Sequence, residues 1–268
     1  MDVIPKLVLK NVDKVYSDSK RNQKTIALGD VSLEVMDGEF ACLLGPSGCG
    51  KSTILNLVAA FENPTNGEVL LDGEPVSHPG PDRGMVFQTP ELYPWLSVLD
   101  NITLGARINK IPVEQYSFSA ERYIRLMGLS GFERHYPYEL SGGMKQRVAL
   151  ARAWIMEPGV FLMDEPFGAL DAQTRLMMQE LLLLVWEEAQ RTVLFVTHDV
   201  DEGIFLADEI YVMSARPGAI REKIPIKFDR PRQYEELIFQ KDYSEIKKHV
   251  LHLIREETLK LLESGDDK

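Results

Sequence analysis

The segment Gly45-Pro-Ser-Gly-Cys-Gly-Lys-Ser52 constrains the fold of this chain more than any other. It keeps the spacing G-x-x-x-x-G-K-[ST], follows an apolar run at 40–44 and opens an apolar helical pattern at 53–61. A strand entering such a loop and a helix leaving it wrap bare backbone N–H groups around an anion, and the helix N-terminus adds partial positive charge. Gly45, Gly48 and Gly50 let the backbone turn that tightly. Lys51 then reaches the β- and γ-phosphates of a nucleotide, and the Ser52 hydroxyl is a ligand for Mg²⁺. Gly45, Pro46, Ser47, Gly48, Cys49, Gly50, Lys51, Ser52 and the following Thr53 are therefore expected to line a polyphosphate. Such a strand–loop–helix order predicts an α/β phosphate-loop core.

The rest of the chain agrees with that core. At 268 residues it is long enough to bury roughly three-quarters of its unfolded surface. Apolar runs at 85–87, 160–163, 193–197 and 210–213 join the one at 40–44, with helical patterns between them. Bare aliphatic runs of this kind predict a mainly parallel sheet buried on both faces. Runs at 6–12 and 26–36, with a polar loop at 17–24, predict an N-terminal antiparallel β subdomain. Asp37-Gly38 and Asp72-Gly73 read as hairpin turns, the first leading into 40–44 and the second dividing 67–71 from 74–76.

Strand signals vanish between 88 and 159, and helical patterns at 98–108, 119–127 and 142–157 predict an inserted α-helical subdomain. Met144, Val148, Ala151 and Ile155 share one apolar face of the third. The expected organisation is a nucleotide-binding domain over 1–225, a helical subdomain at about 89–158 inserted in it, and a C-terminal helical extension at 226–268. In that extension, after a charged link at 227–233, Ile246, Val250, Leu253, Ile254 and Leu261 form one stripe. The tail either packs on the core or regulates or dimerises the chain.

Thirty Lys and Arg against 41 Asp and Glu leave a net charge of −11. Such a field disfavours a protein whose business is gripping nucleic acid. A bound nucleotide must instead be held by local backbone dipoles, Lys51 and Mg²⁺. Cys42 and Cys49, the two cysteines, are too few for a disulfide scaffold and suit a reducing compartment. Cys49 either fills an unconstrained loop position or reacts readily, because a helix N-terminus lowers a thiol's pKa. No run reaches the roughly 18 apolar residues of a membrane helix, and the N-terminus lacks a signal-peptide apolar core. The expectation is a cytosolic chain that does not cross a membrane by itself.

Two further motifs complete the chemistry. The run Val160-Phe-Leu-Met-Asp-Glu165 delivers Asp164 and Glu165 at the C-terminal end of a buried strand, where open α/β sheets bind ligands. Asp164 is placed to hold Mg²⁺, and Glu165 to orient or deprotonate the attacking water. Leu140-Ser-Gly-Gly-Met-Lys-Gln-Arg147 places Ser141 as a helix N-cap, with Gly142 and Gly143 leaving backbone N–H groups bare. A second phosphate-reading helix start makes sense beside one phosphate loop if it serves another subunit's nucleotide.

With these motifs in this order, the chain resembles the ATP-binding subunits of ABC transporters, whose hallmark is the LSGG element. The resemblance covers residues from about 5 to 220. It implies that Tyr16 stacks on adenine and that Gln88, ending Met85-Val-Phe-Gln88, contacts Mg²⁺ or the attacking water and senses the membrane partner. It also implies that Asp171, in Phe167-Gly-Ala-Leu-Asp171, crosses a dimer interface, and that His198 contacts the γ-phosphate. Glu165, His198, Gln88 and Lys51 then form the catalytic set, with Ser52, Gln88 and Asp164 around the metal.

Met144 departs from the glutamine usual at that position, and is expected to pack on the buried stripe. That variant, the segment Tyr93-Pro-Trp-Leu-Ser-Val-Leu-Asp-Asn-Ile102, Ala215-Arg-Pro-Gly218 and Asp229-Arg-Pro-Arg232 are similar to the nitrate, sulfonate and taurine importer subgroup. The resemblance implies an ATP- and Mg²⁺-dependent ATPase working as a homodimer on the cytoplasmic face of the cell membrane. Its other partners are a separate permease and, indirectly, a substrate-binding protein, with no nucleic acid. Leu92, Tyr93 and Trp95 either dock a permease helix or form a buried local cluster. The alternatives are a soluble ABC ATPase acting on nucleic acid or ribosomes, and an accessory ATPase of a lipid or export complex. Repair members carry a long coiled-coil insertion and translation members tandem halves, and this chain has neither.

Overall fold

A computed structural model describes residues 4–18 and 23–263. The first elements are β1 (Leu7–Asp18), β2 (Gln23–Val35), β3 (Phe40–Leu44), α1 (Lys51–Val58), β4 (Asn66–Leu71), β5 (Glu74–Pro75) and β6 (Arg83–Val86). Next come α2 (Val98–Ile108), α3 (Val113–Leu126), α4 (Gly142–Trp154), β7 (Val160–Asp164) and α5 (Ala172–Ala189). The chain continues through β8 (Thr192–Thr197), α6 (Val200–Leu206), β9 (Glu209–Met213), β10 (Ile220–Pro225), α7 (Tyr234–Leu237) and α8 (Lys241–Glu263). These elements form two compact units, Met1–Pro79 with Thr192–Lys268, and Gly80–Arg191.

In the first unit, β2-β1-β4-β5 make an antiparallel sheet, with Leu7 paired to Val35 on one side and Leu71 on the other. On β2 Val31, Leu33 and Val35 are buried with Ser32 and Glu34 exposed between them, as a half-buried strand requires, whereas Leu7, Val8 and Leu9 of β1 are all buried. Asp72-Gly73 closes the expected hairpin between β4 and β5, with Leu71 opposite Glu74. Asp37-Gly38 does not close one. β2 stays in the antiparallel sheet, whereas β3 lies parallel between β8 and β9. The turn therefore carries the chain from one sheet to the other, and the Gly38 N–H donates to Thr192 Oγ1 at 3.0 Å. β1 and β2 also reach further than expected, so 17, 18, 23 and 24 are strand residues; the centre of the anticipated loop, 19–22, lies outside the described residues.

Every residue of β3 and β8 is buried, which fits a strand covered on both faces. β10, which the apolar pattern did not foretell, pairs antiparallel on the far side of β9. Its sequence, Ile-Arg-Glu-Lys-Ile-Pro, carries three charges and only one buried residue, as an edge strand does. α8 packs against α6 and β9 through Tyr243, Val250 and Leu253. The Tyr243 hydroxyl donates to Asp201, and Lys247 Nζ bonds the same carboxylate at 2.8 Å.

In the second unit, β6 and β7 are parallel, with Val86 opposite Met163, and no described residue between 87 and 159 is in a strand. α2 and α3 pack on α4. Ser97 caps α2 by accepting from Asp100 N–H at 3.1 Å. Val148, Ala149, Leu150 and Ala151 are buried on α4, and Trp154 stacks on Phe161 of β7 at 4.1 Å between ring centroids. Met144 is half-buried at the edge of that face, while Gln146 is buried more deeply than expected for a polar residue.

Candidate functional site

The first unit builds the phosphate loop. β3 ends at Leu44 and α1 begins at Lys51, so Gly45–Gly50 span the gap between a buried strand and a buried helix. Gly48 (φ 75) and Gly50 (φ 99) take left-handed conformations, and a Cβ on Gly50 would stand 2.5 Å from Leu28 Cδ2. No side chain caps α1, so its first-turn N–H groups are not spent on a capping oxygen. Lys51 is only 6% exposed, and its ammonium donates to the carbonyls of Gly45 at 2.8 Å and Pro46 at 3.0 Å. The cation is thus held inside the loop, facing the ring that is expected to enclose phosphate oxygens. Ser47, Gly48 and Ser52 are exposed, Pro46 and Thr53 half-buried.

Two predicted partners stand in the same unit. Leu44 pairs with Thr197, so His198, exposed and one residue further, comes level with the beginning of the phosphate loop. Asp199 then caps α6, accepting from the N–H groups of Asp201 at 2.9 Å and Glu202 at 3.2 Å, which fixes the backbone just after the histidine. Tyr16 lies on β1 with Lys14 Nζ 5.0 Å above its ring. Its hydroxyl is pushed above the usual tyrosine range by burial and by its hydrogen bond with Glu62, against a hydrogen bond with Thr53. The aromatic thus reaches the first turn of α1.

Of the two readings of Cys49, the structure favours the filler of a loop position. It is 1% exposed, and burial pushes its pKa up although Lys51 pulls the other way. Burial thus dominates the surroundings of the thiol, which packs under the loop.

In the second unit the parallel register of β6 and β7 brings Gln88, Asp164 and Glu165 to one end of the strand pair. Glu165 has a left-handed backbone (φ 41), an uncommon conformation for a residue with a side chain. Gly168 N–H donates to the Glu165 carbonyl at 3.1 Å. A Cβ on Gly168 would lie 3.7 Å from Glu165 Oε2 and 3.8 Å from Gln88 Nε2. Gly168 of the Phe167–Asp171 motif therefore lies beside both side chains, a neighbourhood that the sequence reading did not assign to it.

Ser141 caps α4 as expected, accepting from Met144 N–H at 3.3 Å. Ser141 and Gly142 are exposed, and no atom stands within 4 Å of where a Gly142 Cβ would be. Gly143 approaches α5, where a Cβ would come 3.0 Å from Thr174 Cγ2. The Thr174 N–H in turn donates to Asp171 Oδ1 at 3.0 Å, and that bond holds the Asp171 carboxyl below the usual range. Thr174 therefore joins the start of α4 to the cap of α5, a link no linear motif displays.

The segment after Gln88 is also organised. Arg152 donates to the carbonyls of Pro90 and Glu91 at 3.1 and 2.8 Å. Asn101, fully buried, accepts from Tyr93 N–H at 2.9 Å and donates to the carbonyls of Tyr93, Leu96 and Ser97. The stapled loop presents Tyr93 and Trp95, 5.6 Å apart between ring centroids, with Trp95 70% exposed. The buried-cluster alternative does not hold for these two aromatics. In the first unit, Arg232 closes α6 by donating to the carbonyls of Phe205 at 3.0 Å and Ala207 at 2.7 Å. That assigns Asp229-Arg-Pro-Arg232 a structural role.

Mg²⁺ takes hard oxygen ligands, usually one or two carboxylates completed by substrate phosphates. Ser52 in the first unit offers an exposed hydroxyl, and Asp164 in the second a half-buried carboxylate, each a hard oxygen donor. No cluster of three His, Cys, Asp or Glu among the described residues is arranged to hold a metal alone. Ser52 and Asp164 are thus each a donor of the class that an ion arriving with a nucleotide takes.

Comparison with known proteins points the same way. The family model described as ABC transporter matches residues 28–168. An ABC transporter ATP-binding protein of Methanocaldococcus jannaschii is 46% identical over 257 residues, 96% of this chain and 94% of that one. A nitrate import ATP-binding protein of Synechococcus elongatus is 47% identical over 232 residues, covering 85% of each chain. A taurine import ATP-binding protein of Yersinia pestis is 46% identical over 202 residues, 75% of this chain and 79% of that one. Among solved structures, a dimeric ATP-binding cassette in a post-hydrolysis state with ADP and phosphate superposes with a TM-score of 0.72 at 33% identity, covering 83% of this chain and 100% of that one.

Proposed function

The chain belongs to the ABC transporter family as an ATP-hydrolysing subunit, and from that premise we propose that it powers an importer of a small anion such as nitrate, a sulfonate or taurine. Two copies close head to tail, each holding ATP between its own phosphate loop and Ser141–Gly143 of the other. The observation that carries this reading is the pairing of a cradle with its lysine already inside, at Gly45–Ser52, with a second helix start left open at Ser141 and Gly142. ATP draws the two surfaces together and hydrolysis releases them, a population shift driven by a ligand that prefers the closed state.

Within one such site Lys51 and the loop N–H groups bind the β- and γ-phosphates, and Tyr16 stacks on the base. Glu165 takes the proton of the attacking water, Gln88 orients that water, and His198 contacts the γ-phosphate. Ser52, Asp164 and Gln88 would hold Mg²⁺, which would neutralise charge on the phosphates when bound.

The exposed Tyr93 and Trp95 dock a cytoplasmic helix of the permease, and Gln88 at the head of that segment passes the state of the nucleotide to it. Binding of solute falls to the permease and a substrate-binding protein, and the chain works on the cytoplasmic face of the membrane. The test is co-purification with a membrane permease and ATP-driven uptake in proteoliposomes. Trp95→Ala is expected to keep the basal ATPase rate and lose uptake. Loss of basal ATPase together with fold would make Trp95 a packing residue instead.

A further inference from the structure

The loop after β9 carries an arginine that the nucleotide chemistry above does not use. Arg216, in Ala215-Arg-Pro-Gly218, lies over the phosphate loop: a Cβ on Gly48 would stand 3.3 Å from Nη2 and 4.0 Å from Nε. Its backbone is tied down on both sides. Gly218 presses so closely on the loop that a Cβ there would overlap the Cys49 carbonyl oxygen. Gly218 N–H donates to the Ala27 carbonyl at 3.0 Å, and Gly29 N–H donates to the Gly218 carbonyl at 2.9 Å. Ser214 Oγ accepts from Ala219 N–H at 3.0 Å and donates to the Pro217 carbonyl at 3.2 Å.

From the other side, Ala215 N–H donates to Glu257 Oε2 of α8 at 2.8 Å. Glu257 is 2% exposed and is itself held by Arg221 at 2.7 Å and Lys260 at 2.6 Å. The C-terminal helix thus braces the loop that carries Arg216.

The guanidinium forms no hydrogen bond or ion pair with any other described residue, in a chain whose net charge is −11. An exposed cation that finds no carboxylate in so acidic a protein, yet is fixed over an anion cradle, matches phosphate: the planar fork bonds phosphate oxygens bidentately. The glycine at 48 leaves the space in which the guanidinium lies. We propose that Arg216 is a second cationic nucleotide-binding residue, contacting the terminal phosphates of the ATP held on its own phosphate loop, and that α8 positions it through Glu257. The inference rests on reading Gly45–Ser52 as an ATP cradle.

The experiment is equilibrium binding of AMP, ADP and ATP to the full chain and to Arg216→Ala and Arg216→Lys, with thermal melts as a check on folding. Arg216→Ala is expected to weaken ATP by about three- to tenfold, ADP less and AMP little, because the contact scales with phosphate charge. Arg216→Lys should recover part of the loss, and raised salt should narrow the gap. Unchanged ATP affinity in Arg216→Ala, with the unaltered chain binding normally, overturns the proposal. An equal loss for all three nucleotides also overturns it, since that marks loop packing rather than phosphate recognition. Failure of the unaltered chain to bind ATP at all would instead remove the cradle reading on which it stands.

Discussion

At the start of α1 no side chain caps the helix, two glycines hold left-handed conformations, and a buried lysine bonds the loop's own carbonyls. At the start of α4 Ser141 spends its hydroxyl on the Met144 N–H, and Ser141 and Gly142 lie exposed with open space beside them. Both are helix N-termini rich in glycine, and both favour an anion. Only the first supplies a cation and an enclosing loop. It is built to hold a polyphosphate by itself, whereas the second offers a few N–H groups to an anion that something else must present. Glu165, proposed above as the base, lies in the unit of the second start, and Lys51 in the unit of the first. The proposed site thus draws its phosphate-holding lysine and its base from differently constructed halves.

The division can be broken most sharply at Glu165. Glu165→Gln keeps the shape and removes the base, so ATP hydrolysis should fall about 10²- to 10⁴-fold while ATP affinity is kept. Normal turnover in a phosphate-release assay would take the base role away from Glu165. Next in size is Lys51→Ala, which removes charge-assisted bonds inside the cradle. ATP affinity should drop about 10- to 100-fold in calorimetry, and an unchanged affinity would leave α1 no better equipped than α4. The smallest effect sharpens the description of the loop as a packed wall. Cys49 in the folded chain should react with a maleimide at least about tenfold more slowly than in the unfolded chain, because it is buried and its thiol is pushed up. Equal rates would mean that the loop opens freely.

The half that binds was the easier one to read from sequence. Gly45–Ser52 states its own geometry, because each glycine, the lysine and the serine act within eight residues of one another. The cap at Ser141 was legible for the same reason, being local. What failed depended on non-local facts. Asp37-Gly38 has the chemistry of a hairpin turn, but the pairing of β3 with β8 and β9 decides that it joins two sheets. Cys49 sits at a helix start, but burial pushes its thiol up against the pull of Lys51, and that burial is not written in the motif. Gly168 between Gln88 and Glu165, and Thr174 between Gly143 and Asp171, are meetings of residues far apart in the chain or on different elements, so no spacing encodes them. Arg216 and Arg232 were visible as motifs without roles until the carbonyls and the loop they face were in place.

The head-to-tail arrangement can be tested by mixing two silent variants. Lys51→Ala spoils the cradle and leaves Ser141–Gly143 intact. Gly142→Asp has room for its side chain and suits a helix N-terminus, but its carboxylate repels the incoming phosphate. Each alone should be inactive. In a mixed dimer, one site joins two damaged surfaces and the other joins two sound ones. With about half the dimers mixed, the ATPase rate should recover to about a quarter of that of the unaltered chain. If two folded variants stay silent on mixing, the proposed head-to-tail dimer is wrong.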